Sequence, residues 1–175
     1  LAFKPQLSPV LAPIYALAQG TAVGAISHWY SDAYAKTQYS GLVPLAVMGT
    51  VAVTGVMLSL YATRIIRVTE TLMMVVVGAT LAVGVTYLLT FVTSFFTPAM
   101  ANMPIYGAGP IGIAFSVFVI GLAAFNLLLD FYVIETGVQN GAPKYMEWYG
   151  AFGLLVTLVW LYIEILRLLS KFARR

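Results

Sequence analysis

The chain has 175 residues, of which 61% are hydrophobic and only 9% charged, with a net charge of +3. A soluble domain carries roughly 25% charged residues, so this composition excludes a water-soluble globule. Its mean hydropathy of +0.93 and its long apolar blocks predict an all-α, polytopic membrane helix bundle, one integral membrane domain over residues 1–175.

A helix crosses the hydrocarbon core with about 20 mostly apolar residues, and five blocks reach that length. The first covers residues 8–28. Gly20 and Gly24 form a GxxxG pattern there, with Ala16 one turn earlier, a small-residue face that admits a close helix neighbour. Gln19 is its one mid-membrane polar side chain. His28 and Trp29 close the block, placing an interfacial histidine beside the aromatic belt. After the polar SDAYAKTQYSG comes a second span over 42–62, then TRIIRVTE, then a third span over 71–95.

The segment TPAMANMPIYGAGP runs into GAGPIG, residues 107–112, a match to the GxGxxG expression. No strand precedes it and no βαβ unit fits this chain, so a nucleotide loop is excluded. Pro110 instead suits the first turn of the next helix, where a missing N–H costs nothing. The fourth span covers 111–134 and the fifth 148–169, separated by ETGVQNGAPK with its turn-forming residues.

Charge and chemistry narrow the function. Four of the nine Lys and Arg residues, Arg167, Lys171, Arg174 and Arg175, sit at one end. A basic tail beside a membrane helix sets topology or meets anionic headgroups, so nucleic acid is not expected as a partner. With no cysteine and one histidine, thiolate chemistry and His-rich metal sites are excluded. No catalytic motif is present, and neither an enzyme nor a resident cofactor is expected. Counting loops over five spans, Lys4, Arg64, Arg67 and Lys144 face Lys36 and the basic tail across the bilayer. That near tie leaves orientation open.

Two acids lie where a bilayer disfavours them: Asp130 in NLLLDFYVIE and Glu164 in WLYIEILRLL. A charged carboxylate at a helix centre costs about 2.5–3.5 kcal/mol on insertion scales. Asp130 lies ~12 Å and Glu164 ~8 Å from the middle of its span at 1.5 Å per residue, so both fall within the hydrocarbon. Helical phase places Asn126, Ala123 and Ser116 on the stripe of Asp130. It places Thr157, Gly153, Gly150 and Lys171 on the stripe of Glu164. Stripes of small and polar residues turn toward the bundle interior or a watery cavity. One reading is structural: Glu164 pairs with Arg167 one turn away and snorkels to the interface, while Asp130 is held through Asn126. The other is a proton-sensitive gate in which two nearby carboxyls share a proton and titrate as a unit.

These residues also carry a family likeness. NLLLDFYVIE and LVWLYIEILRLL resemble the last two helices of the Bax inhibitor-1 (transmembrane Bax inhibitor motif) family, in its actinobacterial-type bacterial branch. SPVLAPIYALAQGTAVGAIS, LYATRIIRVTE and GAPKYMEWYGAFGLLVTLVW extend the likeness over nearly the whole chain. The resemblance implies a seven-helix fold of which two N-terminal helices are absent here, and a pH-sensitive calcium leak across a bacterial inner membrane. It carries the family's paired pH-sensing aspartates onto Asp130 and Glu164, and a basic residue after the second onto Arg174. Three departures stand out: Glu164 replaces the more usual Asp, Gln19 stands where Glu-Gly is common, and with the two N-terminal helices goes any arginine there that could pair with Asp130.

The reading is therefore a pH-sensitive cation (calcium) leak protein, multi-pass in a bacterial inner membrane, with Asp130 and Glu164 as gate groups. Asn126, Thr157, Arg167, Arg174 and Gln19 support them, and calcium passes transiently. The alternative is a non-enzymatic accessory subunit packed against other membrane subunits through the Gly20 and Gly24 face. Whether the two acids touch depends on where the fifth helix begins and whether it breaks near Gly150 and Gly153. With a tight turn near Asn140 and straight helices, they fall on opposite sides of the midplane.

Overall fold

The computed structural model describes residues 5–34, 41–94 and 107–174. After a short 3-10 turn at Pro5–Leu7 come five helices: α1 (Ser8–Tyr34), α2 (Leu42–Ala62), α3 (Glu70–Ser94), α4 (Pro110–Gln139) and α5 (Tyr145–Ala173). All five are long and apolar enough to cross a membrane. Lipid offers no hydrogen-bond partner to a bare backbone, so a helix is the form that satisfies such segments from within. Hydroxyl side chains obey the same constraint by bonding back one turn: Thr50 to the Ala46 carbonyl at 2.8 Å, Thr80 to Val76 at 2.8 Å and Ser27 to Val23 at 2.7 Å.

Three helices overrun the expected spans, while α2 keeps its expected bounds. The first continues past His28 to Tyr34, the fourth runs to Gln139, and the fifth starts at Tyr145 and reaches Ala173. Hydrocarbon depth limits how far the apolar run extends but not the helix, whose polar end turns are solvated or bonded locally. His28 is one such case, an exposed helical residue 3.0 Å from Asp32.

Two ends are set by the same device. In α4, Asn140 is the C-cap and Gly141 adopts φ +62°. The Gly141 N–H reaches the Val138 carbonyl at 3.2 Å and the Ala142 N–H reaches Gly137 at 2.9 Å, a Schellman motif with glycine in the left-handed position. The end of α2 repeats it, with Arg64 N–H to Tyr61 at 3.0 Å and Ile65 N–H to Leu60 at 3.1 Å. There the left-handed residue is Arg64, at φ 55°. Pro110 stands at the start of α4 as expected, after an extended Gly109.

The α4–α5 hairpin forms the centre. Leu127, Leu161, Leu166 and Ala123 are fully buried with Ala46 of α2. The tightest approach is at Gly150, where a Cβ would stand 2.9 Å from Ile134 Cγ1. α1 joins α5 through Ser8 Oγ to the Tyr145 carbonyl at 2.8 Å and through Ser27 and Tyr162, whose hydroxyls lie 2.7 Å apart. Its small-residue face does not take part: nothing lies within 4 Å of a Cβ placed on Gly20 or Gly24. Among the described residues, the close neighbour expected for this face is not another helix of the chain.

Candidate functional site

Heptad spacing builds a polar stripe through the bundle. α3 contributes Thr80 and Tyr87, α4 contributes Ser116, Asn126 and Asp130, and α5 contributes Thr157, Glu164, Arg167 and Lys171. Residues seven apart lie on one face of a helix. Three helices that each carry such a repeat can therefore bury polar groups against one another while their apolar faces meet lipid.

Glu164 is 1% exposed. Its Oε1 accepts from the Tyr87 hydroxyl at 2.9 Å and from Arg167 Nη1 at 2.9 Å, and that nitrogen also donates to the Tyr87 oxygen at 2.9 Å. The Arg167 guanidinium lies over the Tyr87 ring, 5.1 Å from its centroid. Glu164, Arg167 and Tyr87 thus form a closed triangle. The pairing with Arg167 is present, but the acid is buried inside the bundle instead of snorkelling outward. Glu164 Oε2 is buried without a hydrogen-bond partner among the described residues.

Asp130 is half-buried. It faces Thr157 as its hydrogen-bonding neighbour, and its Oδ1 lies 3.5 Å from where a Gly153 Cβ would be. Its Oδ2 is also buried without a partner among the described residues. Asn126 turns instead to α3, donating to Thr80 Oγ1 at 2.8 Å and to its own Leu122 carbonyl at 2.9 Å.

The acids do not touch. Asp130 stands at the level of Thr157, two turns before Glu164, roughly 10 Å along the helix. α5 begins at Tyr145 and runs unbroken through Gly150 and Gly153, so nothing brings Glu164 back toward the α4–α5 turn. The expected sharing of one proton between the two carboxyls is not what this geometry provides; they are separate rungs of one stripe.

A further rung lies beyond Glu164. Lys171 is 5% exposed, and its Nζ donates to the Gly112 carbonyl at 2.8 Å and to Ser116 Oγ at 2.9 Å. Arg174 joins neither acid: its Nε donates to the Tyr34 hydroxyl at 2.9 Å and ties the end of α5 to α1. Gln19, half-buried on α1, stands outside the α3–α5 network. The sequence reading missed Tyr87 and Thr80, although their seven-residue spacing in an apolar run was a visible signal.

Five apolar helices around a buried polar stripe define a multi-pass membrane protein. The chain matches a family model described as Bax inhibitor 1 like over residues 1–174, and it belongs to that family. No curated protein and no solved structure matches it.

Proposed function

We propose that the protein is a non-enzymatic, pH-sensitive cation leak of a bacterial inner membrane, with calcium as the transported ion. Asp130 is the group that exchanges a proton. The observation that carries this reading is the contrast between the two buried acids. Glu164 is neutralised by Arg167 and braced by Tyr87, whereas Asp130 faces the neutral Thr157 and Gly153 and has no cationic partner among the described residues. A lone carboxyl in a lipid-embedded bundle is compatible with close helix packing while it keeps its proton. Once ionised, it needs water or a cation beside it. Glu164 and Arg167 form the fixed ion pair deeper in the stripe, and Asn126 and Thr157 supply neutral polar rungs.

Two carboxylates ~10 Å apart fall well short of the six to eight oxygens that hold calcium tightly. The arrangement suits transit with bound water. Calcium flux from reconstituted vesicles, measured across the physiological pH range, tests the proposal. Wild type should leak more as pH rises, and Asp130→Asn should leak little at every pH. Identical pH profiles for the two would refute it. The accessory-subunit reading draws on the outward Gly20 and Gly24 face; a stoichiometric partner retained after mild detergent extraction would favour it.

A further inference from the structure

The α2–α3 turn, away from the polar stripe, shows three features that point the same way. Its first sign is the backbone. α2 and α4 end in the same motif, yet the left-handed position that holds Gly141 in one holds Arg64 in the other. That conformation disfavours any side chain, so an arginine there points to a need for its guanidinium.

The second sign is what the arginine faces. A cavity of about 430 Å³ lies between this turn and the end of α4, lined by Arg64, Arg67, Tyr61, Tyr132, Glu135 and Gln139. Glu135 already accepts from three donors: the Tyr61 hydroxyl, Arg64 Nη2 at 3.2 Å and Gln139 Nε2 at 3.0 Å. Arg67 has no acid partner among the described residues. Two guanidiniums against one carboxylate leave the cavity with a net positive charge and unused planar donors suited to a phosphate.

The third sign lies across the turn. A shallow, open apolar trough runs along α2 past Val51, Gly55, Val56 and Ser59 to Ile65. Alternate turn residues serve the two sides: Thr63 and Ile65 line the trough, while Arg64 and Ile66 line the basic cavity. Ile65 is 71% exposed. A charged cavity beside an apolar trough, at the end of a membrane span, matches a molecule that joins a phosphate to an acyl chain.

We infer that this site binds an anionic phospholipid, its headgroup phosphate held by Arg67 and Arg64 and an acyl chain laid in the α2 trough. Native mass spectrometry of the detergent-solubilised protein, titrated with phosphatidylglycerol or phosphatidylcholine, tests this. Wild type should retain phosphatidylglycerol preferentially. Arg67→Gln should weaken that binding about tenfold, as loss of a charge-assisted contact does, and Arg64→Gly should also weaken it. Lys144→Gln, a same-side control outside the cavity, should leave it unchanged. Arg67 is exposed, so Arg67→Gln decides the matter even if Arg64→Gly fails to fold. Equal retention of the two lipids, or equal losses in Arg67→Gln and Lys144→Gln, would overturn the inference. Displacement of phosphatidylglycerol by millimolar inorganic phosphate would overturn the assignment to lipid.

Discussion

Glu164 takes two hydrogen bonds on one oxygen and none on the other, so Tyr87 supports it where water cannot. Tyr87→Phe keeps the ring under Arg167 and removes only the hydroxyl. It is expected to lower stability by about 0.6–1.7 kcal/mol, as hydrogen bonds within a folded membrane protein do, read as a lower unfolding midpoint in detergent. Because Arg167 still neutralises Glu164 in that variant, the pH profile of the proposed leak should keep its shape, in contrast to Asp130→Asn. The acids were legible in the sequence because a carboxylate in an apolar run is conspicuous. Tyr87 carried only the weaker signal of its seven-residue spacing from Thr80, because a tyrosine in such a run resembles any other aromatic until its α5 neighbours are known.

Packing between elements turns on Gly150. A side chain there would meet Ile134 of α4 at 2.9 Å, closer than a real Cβ contact allows. Gly150→Val should therefore force the α4–α5 hairpin apart, at an overpacking cost of about 1–3 kcal/mol. Adding Ile134→Ala should restore much of the loss, so a double-mutant cycle in thermal unfolding should show clear non-additivity. Lack of coupling would mean the two side chains do not limit the approach. The polar stripes on α4 and α5 followed directly from seven-residue spacing. Their relative level did not, because it depends on where each helix stops. The solvated end turns of α4 and α5 move the hairpin bend away from the apolar boundary, and so decide which residues face each other.

Over the whole molecule, five spans place the α2–α3 and α4–α5 turns on one side and the end of α5 on the other. The cavity shared by Arg64 and Gln139 brings the first two together. Single cysteines introduced at Asn140 and at Arg64 should react with a membrane-impermeant maleimide from the same side of intact vesicles. One at Phe172 should react from the opposite side. Labelling of all three from one side would contradict the topology. The number of helices was readable from composition because bilayer thickness fixes the length of an apolar run. Which face of α1 meets the bundle was not, since its GxxxG pattern advertises a contact that no described helix of this chain makes.

The buried amine of Lys171 gives the stripe a polarity. Asp130 stands toward one end of the stripe and Lys171, bonded to Gly112 and Ser116, toward the other, with the Glu164 and Arg167 pair between them. In the proposed leak, a cation would be drawn in from the Asp130 side and turned back from the Lys171 side. Current through it should rectify, and replacing Lys171 with methionine should make the two directions more nearly equal.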